Sequence, residues 1–171
     1  AFLAPRVYQV SSVLRPAAIN ELDALNRSEV YKLPPAEALA KVGAQLDSYE
    51  ARLGFFRANP ALFEAFQRPG QSLEQSFEAF NRNAINLVMP DSKKSDGVSS
   101  YLRLEMQYPK GIDGAAILNG FVDYAIAQER NQVGADLKVI VNNRLNELKG
   151  KIDAARANYE TGKASKIAML L

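Results

Sequence analysis

The chain has 171 residues, 47% of them hydrophobic and 23% charged, with 21 basic against 19 acidic side chains and neither cysteine nor histidine. Those absences exclude a disulfide framework, a cysteine nucleophile, a Ser-His-Asp triad and zinc held by its usual ligands. The near-balance of charge along the chain offers no basic stripe for nucleic-acid phosphates, and the composition is that of a folded protein of about one domain.

Val7 to Leu14 alternates, with Tyr8, Val10 and Leu14 on one face and Ser11 on the other, and Pro16 closes it, which predicts a strand. After Pro34-Pro35 the apolar residues Leu39, Val42, Leu46, Tyr49, Leu53 and Phe56 recur at alternating steps of three and four. This spacing predicts one helix with a single seam and proline in its first turn. Asn59-Pro60 reads as the cap and first residue of a short helix to about Phe66, broken by Pro69-Gly70. Ser72-Leu73-Glu74-Gln75 has the order of a capping box, so a further helix is expected to about Arg82.

Ala84 to Met89 is a compact apolar run, read as a buried strand, and Asp91 to Gly97 as a charged loop. From Ser100 to Tyr108, Leu102, Leu104, Met106 and Tyr108 fall on one face while Tyr101, Arg103, Glu105 and Gln107 fall on the other. One buried and one wet face imply an α+β architecture, a small open sheet covered by helices.

From Asp113 to Leu171 the pattern is helical, a reach of roughly 90 Å if unbroken. Helices of that length are rare, so a break is expected at Asn131 to Gly134, where a polar stretch interrupts the seam and glycine weakens the helix. Past it Leu137, Val141, Leu145, Leu148, Ile152, Ala155 and Tyr159 resume at coiled-coil spacing, a narrow stripe in want of a partner helix. The organisation expected is a base over 1–112 and a long helix over 113–171, broken near 131–134 and truncated at its end. The opening Ala1-Phe2-Leu3-Ala4-Pro5 and the uncapped Ile167-Ala168-Met169-Leu170-Leu171 read as the ends of an excised segment. No apolar run is long enough to span a membrane, an observation that applies to the segment alone.

Motifs that carry chemistry fare poorly. Thr161-Gly162-Lys163-Ala164-Ser165 ends like a phosphate loop, but lacks its first glycine and a preceding strand, and reads as a solvated helix face. Gly111-Ile112-Asp113-Gly114 lacks the third glycine of a dinucleotide fingerprint and reads as a strand-to-helix turn with Asp113 as N-cap. Glu74 with Glu78, and Asp91 with Asp96, are the closest carboxylate pairs, yet neither has a desolvating neighbourhood to keep one acid protonated. No catalytic, cofactor-binding or metal-binding residue is therefore assigned. Arg103 and Glu105, on the wet face of the last strand, are the candidates for an interaction surface, against the plainer reading of ordinary exposed alternation.

The strand Tyr8-x-Val10-Ser11-Ser12-x-Leu14-x-Pro16, the helical region, the strand ending at Tyr108-Pro109 and the stretch Gly111-Ile112-Asp113-Gly114-x-x-x-Leu118-Asn119-x-Phe121-Val122-x-Tyr124 opening a long helix resemble the Wzz-type chain-length determinants, the class 1 polysaccharide co-polymerases. The resemblance covers most of the segment in its order of elements. It implies an inner-membrane protein with a span at each end and an α+β base on the periplasmic face that assembles into a homo-oligomeric ring. It also implies control of O-antigen or related glycan length with a Wzy-type polymerase and the growing polymer as partners, without chemistry of its own. The family's descending segment, returning strand and second span are absent, which leaves the seam beyond Leu137 to be covered by that segment or by neighbouring copies. Rival readings are a periplasmic adaptor with a helical hairpin, which calls for two antiparallel heptad helices, and a carbohydrate-active enzyme, which calls for a cleft with a perturbed carboxylate.

Overall fold

The computed structural model describes residues 4–17, 22–89 and 101–171. Three antiparallel strands, β1 (Val7–Leu14), β2 (Ile85–Val88) and β3 (Leu102–Pro109), form one sheet in the order β1-β3-β2. The strand with the strictest alternation is the central one. Its even-numbered residues Leu102, Leu104 and Met106 are buried, and across it Leu14, Ser12 and Val10 of β1 and Leu87 and Ile85 of β2 share that face by register. The opposite face carries Arg103, Glu105 and Gln107 and is open, so the expected α+β layer of a small sheet covered on one side is the fold observed.

The covering layer holds α1 (Asp23–Arg27), α2 (Pro35–Asp47), α3 (Tyr49–Ala58), α4 (Pro60–Phe63), α5 (Leu73–Asn83) and the start of α6 (Gly114–Leu170). A single core joins α2, α3, α4, α5 and α6, centred on Phe55, Phe56, Phe63, Phe77, Phe80 and Phe121, while α1 buries no residue. The rings meet edge-on or tilted, as aromatic quadrupoles prefer, with Phe56 and Phe63 at 4.3 Å between centroids and Phe63 and Phe80 edge-to-face at 5.1 Å.

The seam from Leu39 to Phe56 is two helices rather than one. Ser48 is extended (φ −73°, ψ 126°) and its side chain accepts from Ala51 N–H, so it ends α2 and caps α3. The restart rotates the inward face: Ala51, Arg52, Phe55 and Phe56 are buried while Tyr49 is 46% exposed. Ser48 followed by an acidic first turn at Glu50 is a helix start signal that the regular spacing conceals. Asn59 also differs from expectation. Its side-chain amide donates back to the Phe55 carbonyl and closes α3 instead of capping α4, which runs on as a 3₁₀ turn through Glu64–Phe66. The capping box of α5 is present in full: Gln75 N–H donates to Ser72 Oγ at 3.2 Å, and Ser72 N–H to Gln75 Oε1 at 3.1 Å.

The turn after β3 places Gly111 at φ +95°, a left-handed conformation suited to glycine, and Asp113 accepts from Ala116 N–H at 3.0 Å to start α6. The helix then runs 57 residues without a break. Asn131 to Gly134 stays helical because a break there forfeits several backbone hydrogen bonds, whereas glycine costs only about 1 kcal/mol. Gln132 Nε2 also donates to Asp136 Oδ1 at 3.0 Å along the same turn. The polar stretch marks where the helix leaves the base. Glu129 is its last buried residue, accepting from Gln45 Nε2 at 3.4 Å, and from Val141 onward every residue is exposed. Among the described residues no helix is long and apolar enough to cross a membrane.

Candidate functional surface

The open face of the sheet is built by register. Arg103 lies between Val13 of β1 and Val88 of β2, and Glu105 between Ser11 and Asn86. Being two apart on one strand, the two side chains project side by side, and Arg103 Nε sits 2.8 Å from Glu105 Oε1, with 42% and 24% of the side chains exposed. The N–H direction misses the carboxylate, so Nε makes a charge contact and no hydrogen bond. The pair that the alternation singled out is thus brought together, as a locally neutral patch flanked by the half-exposed Val13. A cation held this way offers a partner a flat guanidinium on an apolar bed, without net charge.

The other sequence candidates do not join this pair: Glu74 and Glu78 lie together on α5, and Gly162 and Lys163 on α6. Glu74 stands 3.8 Å from Arg57 and Glu78 3.6 Å from Arg82, with Glu78 half-buried and the other three exposed. Glu78 also accepts a 2.7 Å hydrogen bond from the Tyr49 hydroxyl, which holds that phenol above its ordinary pKa. Both glutamates line one open hollow of about 440 Å³ along α5, with Arg82 and Asn83 beside them. Asp91 and Asp96 lie outside the described residues. Gly162 and Lys163 are mid-helix on α6 with no loop around them, as the solvated-face reading expects.

Sequence reasoning missed Arg52, the most enclosed cation among the described residues, which is 8% exposed. Its Nε donates to the Leu46 carbonyl at 2.8 Å, Nη1 to Asn81 Oδ1 at 3.0 Å and Nη2 to Asp47 Oδ1 at 3.2 Å. The guanidinium therefore ties the end of α2 to α5 across α3, and burial lowers its pKa, partly offset by Asp47. No signal in the sequence distinguishes Arg52 from a surface arginine, because all three of its acceptors arrive from other elements, two from α2 and one from α5. A hollow of about 490 Å³ opens between α5 and the end of β3, with Arg68, Gln71, Asn83 and Gln107 as its polar wall and Phe66, Phe80 and Tyr108 beneath. It presents amide and guanidinium groups and no carboxylate. No group of acidic residues that could hold a metal ion occurs among the described residues.

The largest exposed apolar feature is on α6, where Leu145, Leu148, Ile152 and Tyr159 are each more than half exposed on one side of the helix. No protein-family model matches the sequence, and no curated protein matches it.

Proposed function

We propose that this chain is the base and ascending helix of a non-enzymatic scaffold that sets the chain length of O-antigen or a related surface polysaccharide, together with a Wzy-type polymerase. In this reading it is a Wzz-type co-polymerase, anchored at the periplasmic face of a bacterial inner membrane and working as a homo-oligomer around the growing glycan. The observation that carries the reading is α6, one continuous 57-residue helix capped by Asp113 and rooted on an α+β base, whose outer part projects with an uncovered apolar seam. Such a helix wants lateral partners, and repeated weak contacts to a polymer or polymerase, one set per copy, can sum to a large effect. The continuity of α6 also supports this reading over the helical-hairpin adaptor, which needs two such helices. Deleting the gene tests it: the polymer should persist with its length distribution flattened, and Arg103→Glu should shift the modal length. Disappearance of the polymer on deletion would overturn the scaffold reading and reopen an enzymatic one.

A further inference from the structure

The hollow between α5 and the end of β3 is walled by side chains that the fold itself does not use. Arg68-Pro69-Gly70-Gln71 has the form of a type II turn, with proline second, Gly70 third at φ +84° and Gln71 N–H donating to the Arg68 carbonyl at 3.1 Å. Its two ends, Arg68 and Gln71, line the same hollow as Asn83, the last residue of α5, and Gln107 of β3. Arg68 stands outside all six ion pairs found among the described residues. The hydrogen bonds among those residues also leave the side chains of Arg68, Gln71, Asn83 and Gln107 unspent, whereas the buried Ser76 beside them donates to the Ser72 carbonyl. The floor is held in place. Phe66 meets Phe80 edge-to-face at 5.4 Å, and Tyr108 is stacked on Tyr8 at 5.8 Å and lies close over Gly114.

We propose that this hollow binds a hexuronate, a sugar ring that carries a carboxylate. The carboxylate sits on Arg68, the hydroxyls on the amides of Gln71, Asn83 and Gln107, and an apolar C–H face of the ring on Phe66 and Tyr108. One cation and no carboxylate in the wall select a singly anionic group, and a guanidinium meets a carboxylate with two parallel hydrogen bonds. Side-chain amides both donate and accept, as ring hydroxyls require of a partner. An aromatic floor with a few convergent polar groups is the make-up of a small-molecule site, and about 490 Å³ is a size such sites have. Two other ligands fit less well. An extended peptide would add to the edge of β3, yet Gln107 N–H is already donated to the Ala84 carbonyl at 2.7 Å, and Pro109, the next residue turned that way, has no N–H. A phosphate would seek the N-terminus of α5 beside Gln71, where Ser72 Oγ already takes the Gln75 N–H and Glu74 in the first turn repels an anion. The proposal deepens the scaffold reading, resting on it for the source of the ring as a unit of the polymer, while the chemistry of the site comes from its own walls.

Amide chemical-shift titrations of the whole chain test it, with methyl glucuronide, methyl galacturonide, methyl glucoside, inorganic phosphate and N-acetyl-aspartyl amide as probes. At least one hexuronide should shift the amides of Gln71, Asn83 and Gln107 and saturate in the millimolar range, and methyl glucoside should bind about tenfold more weakly for want of the charge-assisted contact. Arg68→Gln should bring the hexuronide down to the level of the glucoside and leave the glucoside unchanged, whereas Gln107→Ala should weaken both sugars alike. Both side chains are exposed, so the urea midpoint of each variant should match the wild type. No shift with either hexuronide at about 50 mM would overturn the proposal. So would equal binding of hexuronide and glucoside, tighter binding of phosphate or of the aspartyl amide, or an Arg68→Gln chain that still prefers the hexuronide. The glycan-length assay reads out separately: a flattened distribution on gene deletion without hexuronide binding would sink the site and leave the scaffold standing. Loss of the polymer on deletion with binding intact would do the reverse.

Discussion

Arg52 shows how one side chain holds several elements, because three of its N–H donors are spent on Leu46, Asp47 and Asn81 inside the base. Arg52→Met should cost about 3 kcal/mol in urea unfolding, since the buried Leu46 carbonyl and the partly buried Asn81 amide oxygen lose their donor. Asp47→Ala should cost less than about 1 kcal/mol, its carboxylate being 66% exposed. Equal losses would mean that the surface half of the network matters as much as the buried half. Tyr49 gives a pH-dependent counterpart. Its hydrogen bond to Glu78 raises its pKa above 10.0, so the folded chain keeps that proton after the unfolded chain has begun to lose it. Stability contributed by this contact is therefore present below pH 10 and lost as pH rises through the folded value. An alkaline tyrosinate titration of the native protein should contain a late component that is missing in Tyr49→Phe. Neither residue was legible in the sequence: Tyr49 and Leu53 lie on a regular seam that Ser48 interrupts, and what Arg52 bonds to is decided by tertiary packing.

At the scale of elements, the readable ones are those whose signal is local. Both long strands declare themselves because one face, buried in β3 and half-buried in β1, is covered and period two follows, and α5 because Ser72 and Gln75 satisfy each other's backbone partners within four residues. The break assigned to Gly134 and the continuity assigned across Ser48 both failed for one reason: composition and spacing compete with backbone hydrogen bonding, which only the folded chain resolves. The open-face pair Arg103 and Glu105 was legible as a position; its mutual neutralisation was not, since that depends on side-chain rotamers. Two glycines on α6 make a contrasting test. A methyl group added at Gly134 meets nothing within 4 Å, so Gly134→Ala should stabilise the helix by about 0.5–1 kcal/mol. At Gly114 the same methyl would collide with the Tyr108 ring, so Gly114→Ala should lower the melting temperature despite the same gain in propensity. Ser48→Ala should cost about 1 kcal/mol by uncapping α3.

The whole molecule joins a well-packed base to a lever that the base does not support. Residues Ile117, Leu118, Phe121 and Ala125 of α6 are at most 1% exposed, whereas every residue beyond Ile140 is exposed. A helix without tertiary packing keeps only its intrinsic propensity, and Gly150 and Gly162 weaken it further. Amide protons over 117–125 should therefore exchange at the rate set by global unfolding, and those over 145–168 faster by several orders of magnitude, as local fraying allows. Removing 145–171 should accordingly leave the urea midpoint of the base unchanged while lowering the helical ellipticity. The gradient is also sensitive to assembly. If copies pack along their projecting helices, protection over 145–160 should rise with protein concentration and fall with salt, while protection over 117–125 stays constant. Concentration-independent exchange along the whole of α6 would mean that the seam stays uncovered between copies and that the lever acts alone.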